Sequence, residues 1–162
     1  MANPGRLGRS MARTAGRLLG LVRSSPRPRP RAASPAPDLD YRPRDDGRPD
    51  PGEVVWAWVP YDEGDGRGKD RPVLVIGRRG EQLLGLMLSS QDHDRDAADE
   101  ARRGRVWTEV GSGAWDSRGR PSEVRLDRLL LLDPSTVRRE GAALDRARFD
   151  RVVAEARRVQ GW

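Results

Sequence analysis

The chain contains no cysteine, which excludes a disulfide framework and any thiolate-bound metal and leaves packing to hold the fold together. It also lacks long apolar runs. The longest purely aliphatic stretches, Val73 to Ile76 and Leu129 to Leu132, fall far short of the roughly 20 residues that span a bilayer, so no transmembrane helix is expected. Freedom from cysteine fits a reducing cytoplasm. Lysine occurs once, as Lys69, and histidine once, as His93, so the basic side chains are nearly all arginine. Acid is missing too, but only from one end. Residues 1–37 hold eight arginines and no Asp or Glu, and the formal total of +6 then leaves −2 for residues 38–162. The pI near 10.9 therefore belongs to the N-terminal tail. Any nucleic-acid-binding surface in the remainder has to be local, a few arginines gathered in one groove.

What is present divides into three textures, and 162 residues supply material for one ordinary domain. Residues 1–25 place Leu7, Met11, Leu18 and Leu21 or Val22 at roughly helical spacing among arginines. A basic amphipathic helix and a solvated, disordered tail both fit that pattern, and either would meet anionic surfaces peripherally. Residues 26–50 alternate Pro with Arg and continue through Pro37, Pro43 and Pro49; proline at this density forbids helix and predicts an extended linker.

Residues 51–162 read as the folded domain. Val54, Val55, Trp56, Trp58 and Val59 make a β-rich run that Pro60 stops. The polar, Gly-rich loop from Tyr61 to Asp70 follows, and then the continuous apolar run Pro72 to Gly77, which predicts a central strand. Further strands are expected over Leu83 to Leu88, Arg105 to Val110 and Ser122 to Leu132, the last of which can break into two. Gln91 to Gly104 is dense in charge and predicts a solvated loop. Asp145 is placed to cap a closing helix whose apolar stripe is Phe149, Val152, Val153, Ala156 and Val159. Short strands, short turns and one helix predict a small barrel or strongly coiled sheet.

Gly52-Glu-Val-Val-Trp56, the Gly-rich loop, Arg71-Pro-Val-Leu-Val-Ile76, Leu86-Met-Leu-Ser-Ser-Gln91, Ser122 to Asp133 and the closing helix stand in an order and spacing that resemble the PemK/MazF toxins of type II toxin-antitoxin systems. The resemblance covers about residues 51–162 and leaves the tail and linker outside. It implies a mainly β, α+β fold: a small SH3-like antiparallel β-barrel with a C-terminal helix. It further implies a homodimer whose shared groove binds single-stranded RNA, sequence-specific endoribonuclease activity, and an antitoxin protein whose acidic segment occupies the same groove. DNA binding by the toxin-antitoxin complex and growth regulation in the cytoplasm belong to the same expectation. No cofactor is implied.

RNA carries its own nucleophile in the 2′-OH, so cleavage requires alignment, proton transfers and stabilisation of a dianionic phosphorane, with metal optional. Arg71 is the leading catalytic candidate: it opens a rigid strand, and its planar fork can address two phosphate oxygens. The family places its catalytic arginine at this Arg-Pro. Ser89 stands where the family usually has Thr; it keeps the hydroxyl but loses the β-branch that fixes the rotamer. Ser90, Gln91, Lys69 and Arg128 are candidate substrate contacts. An acid common in the family's loop is Gly66 here, with Asp65 or Glu63 as substitutes, and Arg128 replaces a family glutamine. Trp115, in a Gly-rich loop, is a candidate for stacking on an unpaired base, whereas Trp107, in a strand, suits the core. His93 is a candidate accessory base. The run Asp92-His93-Asp94 with Asp96 is read as a charged loop, and no metal site is expected. A non-catalytic binding module on the same barrel, gripping a protein target, is the rival reading.

Overall fold

A computed structural model describes residues 37–91 and 96–162. The expected tail, the start of the proline-rich stretch and His93 lie outside these residues. Among the described residues, seven strands form one antiparallel sheet in the order β4-β5-β3-β2-β1-β7, with β6 paired to β3 beside that path. The strands are β1 (Glu53–Pro60), β2 (Gly68–Arg79), β3 (Gln82–Ser89), β4 (Trp107–Gly111), β5 (Ser122–Arg125), β6 (Leu130–Leu132) and β7 (Arg138–Ala143). No ladder joins β4 to β7 among the described residues, so the sheet coils without closing.

The apolar run from Pro72 forms the middle of β2, between β1 and β3 as expected of a central strand. Both of its faces are buried, which is why its sequence is continuous rather than alternating. Leu74 and Ile76 join one core cluster with Leu84, Leu86 and Leu88; Val73 and Val75 join a second with Val55, Val59, Leu83 and Met87. The expected fifth strand does break in two, as β5 and β6. Strand β7 escaped the sequence reading because Arg-Arg-Glu-Gly-Ala-Ala has no alternating apolar pattern. Its place is set by β1, whose outer edge it covers from Glu53↔Ala143 to Trp56↔Arg138.

Two α-helices and a short 3-10 turn, Pro134–Thr136, complete the unit among the described residues. Helix α1 (Ala97–Arg102) stands where a solvated loop was expected. Its Glu100 is buried and accepts the Trp107 indole N–H at 2.9 Å, an anchor that charge density alone does not reveal. Helix α2 (Arg146–Gln160) begins at Asp145, whose carboxylate accepts the Arg148 N–H at 3.0 Å, and ends at Gly161 in the left-handed region (φ 76°). Phe149, Val152, Val153 and Ala156 are buried in the first core cluster, where the three larger side chains contribute roughly 1.5–3 kcal/mol apiece before entropy is counted. Val159 departs from the expected stripe and is exposed. The last turn is held instead by the Gln160 amide, which donates to the Leu126 carbonyl at 2.6 Å.

Residues 37–50 belong to the stretch expected to be a linker, and they lie against the domain. Asp38 exchanges two backbone hydrogen bonds with Arg78. The Tyr41 ring packs 5.1 Å from Phe149 while its hydroxyl donates to the Leu144 carbonyl at 2.9 Å. The Arg44 carbonyl accepts from Arg139, which also pairs with buried Glu53. Tyr41 and Leu39 supply the apolar anchors that proline counting overlooks, so the compact unit starts before Pro51.

Candidate functional site

Strands β2 and β3 pair from Arg79↔Gln82 to Val73↔Met87, with a register shift between Val75 and Gly77, and Arg71 and Ser89 lie beyond the last of these pairs. The ladder stops short of them because β3 turns away to pair with β5, through Leu88↔Val124 and Ser89↔Glu123. The splayed end opens into two confluent clefts. The larger, of about 520 Å³, is floored by Val59 and Met87 of the second core cluster. The smaller, of about 250 Å³, includes Trp56 and Pro72. Arg71, Ser89 and Gln91 border both, so the two strongest sequence candidates stand at the junction.

Arg71 is half-buried, pinned across from Ala57 of β1, and no carboxylate among the described residues reaches its guanidinium. Four of the five other arginines lining the larger cleft differ, Arg103 being the exception among the described residues. Arg67 pairs with Asp65, and Arg105, Arg125 and Arg128 all pair with Asp62. Ser89 is buried, and its oxygen accepts the Gln91 N–H at 3.2 Å, which orients the hydroxyl and leaves its hydrogen to donate. Ser90 and Gln91 are exposed at the mouth of the smaller cleft beside exposed Lys69, and Arg128 lines the larger.

Two expectations need correction. Trp115 is not a free stacking surface: it is 3 % exposed, packed in the first core cluster, and its indole N–H donates to buried Ser122 at 3.0 Å. The Gly-rich flanks that suggested a loose loop instead let the chain fold tightly over the ring; an added Cβ on Gly113 would lie 2.0 Å from it. Asp65 does not border either cleft. It caps its own loop, accepting Arg67 Nε at 2.6 Å.

Of the acids lining the larger cleft, Asp62 is the one that gathers three of its arginines. Its carboxylate receives Arg125 Nη1 at 2.8 and 3.0 Å, Arg105 Nε at 3.1 Å and Arg128 Nη1 at 3.1 Å. Partial burial opposes ionisation of Asp62, yet Arg125, then Arg105 and Arg128, hold its carboxyl below the ordinary aspartate value. Arg125 is the most enclosed guanidinium, with a side chain 9 % exposed. Burial pulls its pKa down, but Asp127 and Asp62 outweigh this and raise it. Sequence reading missed Asp62, Arg105 and Arg125. The available signal was Arg125, flanked by core residues Val124 and Leu126, because a strand arginine among apolar neighbours demands a carboxylate.

Fold and cleft define the class: a small, mostly antiparallel β-protein closed by a C-terminal helix, with arginines gathered where two central strands part. The chain belongs to the PemK-like, MazF-like toxins of type II toxin-antitoxin systems, the family whose sequence profile matches residues 50–159. Among solved structures, a chain in the crystal structure of MazE-MazF (Form-II) from Deinococcus radiodurans is similar at 23 % identity, covering 70 % of this chain and 92 % of that one with a TM-score of 0.42. The curated proteins give no match. No helix among the described residues is long and apolar enough to cross a membrane.

Proposed function

We propose that the chain is an endoribonuclease that cuts single-stranded RNA at specific sequences by attack of the 2′-OH, without metal. The observation that carries this reading is that Arg71, free of carboxylate partners among the described residues, and the oriented Ser89 hydroxyl both line the same two clefts. In this mechanism the scissile phosphate sits between them. Arg71 offers two N–H donors to its non-bridging oxygens and stabilises the phosphorane, where charge is greatest. Ser89 donates to the same group. The 2′-oxygen loses its proton and bonds to phosphorus, the bond to the 5′-oxygen breaks, and that oxygen takes up a proton. The products are a 2′,3′-cyclic phosphate and a 5′-hydroxyl. His93, two residues past Gln91, is the accessory base, and flanking nucleotides run over Ser90, Gln91, Lys69 and Arg128.

As a member of a type II toxin family, the chain acts within a toxin-antitoxin pair in the cytoplasm. An acidic antitoxin segment competes for the arginine-lined cleft, a second copy shares the groove, and the assembled complex binds DNA. The activity test uses single-stranded RNA in excess chelator. Cleavage with cyclic phosphate ends is expected, falling by about 10²–10³-fold in Arg71→Ala, the loss typical of removing one transition-state donor. The engagement of Asp62 by three arginines favours one other reading, a binder without catalysis. RNA that is bound but left intact selects it.

A further inference from the structure

The larger cleft holds a feature that cleavage by Arg71 and Ser89 does not use. Arg105 precedes β4, Arg125 ends β5 and Arg128 lies between β5 and β6, yet all three side chains converge on Asp62. We infer that Arg105, Arg125 and Arg128 form a second phosphate-binding subsite, which Asp62 fills in the free chain as an internal substitute for a phosphate group. The proposal deepens the RNA reading above and rests on it for the identity of the ligand.

Three observations support it. The carboxylate is held through both oxygens, by Arg125 at 2.8 and 3.0 Å and by its neighbours at 3.1 Å. Two non-bridging phosphate oxygens accept from guanidinium groups in the same forked geometry. The arginines also keep secondary supports that would hold them in place without Asp62: Arg125 pairs with Asp127 at 2.8 Å, Arg128 donates to the Pro60 carbonyl at 2.8 Å, and Arg105 reaches Glu100 at 3.4 Å. Withdrawing Asp62 therefore leaves a preformed group of donors with one more uncompensated positive charge. Finally, Asp62 sits on an exposed loop. Residues 62–67 are exposed, and Gly64 and Gly66 adopt positive φ of 66° and 82°, so moving the carboxylate aside breaks few apolar contacts. A chain phosphate entering beside Arg71 takes over its donors.

The test measures binding of a short 2′-O-methyl oligoribonucleotide, which lacks the free 2′-OH and cannot be cut, across a salt series. Asp62→Asn is expected to bind several-fold tighter, with the slope of log K against log salt steeper by about 0.7, one single-strand phosphate. Arg128→Gln is expected to weaken binding several-fold and flatten the slope by a similar amount. In parallel, inorganic pyrophosphate should raise the melting temperature of Asp62→Asn more than that of the wild type, and adding Arg128→Gln should remove the difference. A folded Asp62→Asn that binds no tighter and gains nothing from pyrophosphate overturns the subsite. If Asp62→Asn does not fold, the decision falls to Arg128→Gln alone, where unchanged affinity and slope overturn it. Wild-type cleavage of RNA with both arms flat leaves the functional reading standing and removes the subsite. A pyrophosphate response with no RNA binding or cutting by any variant retains the anion site and removes the functional reading.

Discussion

Arg71 and Arg125 are the same side chain in opposite circumstances. Arg125 is nearly enclosed and saturated by Asp62 and Asp127, so its first contribution is structural. Replacing it with Ala strands two carboxylates, and we expect a loss of about 2–3 kcal/mol, below the ~3–5 kcal/mol of a fully buried pair because water reaches both acids; chemical denaturation measures it. The Asp62 contribution has a definite pH sign. Its folded pKa is depressed, so the stabilisation is fully present above the unfolded value of about 3.9 and is lost as pH falls through the lower folded value. The difference in melting temperature between wild type and Asp62→Asn should accordingly shrink in acid and stay constant from pH 5 to 7. A difference that grows in acid contradicts this sign. Arg71 and Ser89 stood out in the sequence because each borders a continuous apolar run, and the structure places both on the rim of the same clefts. Asp62 did not, because one acid in a loop of acids shows its partners only when three distant arginines fold onto it.

At the scale of elements, legibility followed apolar pattern. Strands β1, β2 and β3 and helix α2 carry runs or stripes whose period declares them, and Asp145 marks the helix start. Strand β7 and helix α1 carry no such pattern; one is defined by the edge it covers, the other by the bond between Glu100 and Trp107. The segment before Pro51 was obscured by its prolines, although Tyr41 and Leu39 fasten it to the first core cluster. Gly77 marks where this segment crosses β2: a Cβ there would lie 2.2 Å from the Asp38 carbonyl oxygen and 2.7 Å from the Leu39 side chain. Gly77→Val should therefore push residues 38–41 off the sheet and expose Tyr41. The expected cost is roughly 1.5–3 kcal/mol, the value of one large buried side chain, with increased protease cleavage near residue 40. Resistance equal to wild type would show that the segment contributes little.

For the whole molecule, charge is arranged more informatively than it is totalled. The excess of arginine lies in residues 1–37, and the remainder is slightly acidic, yet six arginines against four carboxylates border the larger cleft. A basic groove on an acidic body suits a protein that must admit one polyanionic strand without coating itself in nucleic acid, since steering acts locally and weakens with salt. The composition announced a basic protein, and only dividing the chain showed where that charge lies. The cleft itself could not be read from the sequence, because it exists where β3 leaves β2 for β5, a change of partner that no local pattern records. The central claim, that Arg71 and Ser89 flank a phosphate whose own 2′-OH is the nucleophile, meets its most direct test in mapping both ends of RNA fragments produced in excess chelator. The account predicts 2′,3′-cyclic phosphate and 5′-hydroxyl ends at a recurring sequence, nearly absent with Arg71→Ala. Intact RNA, cleavage only on addition of a divalent metal, or cleavage undiminished in Arg71→Ala would contradict it.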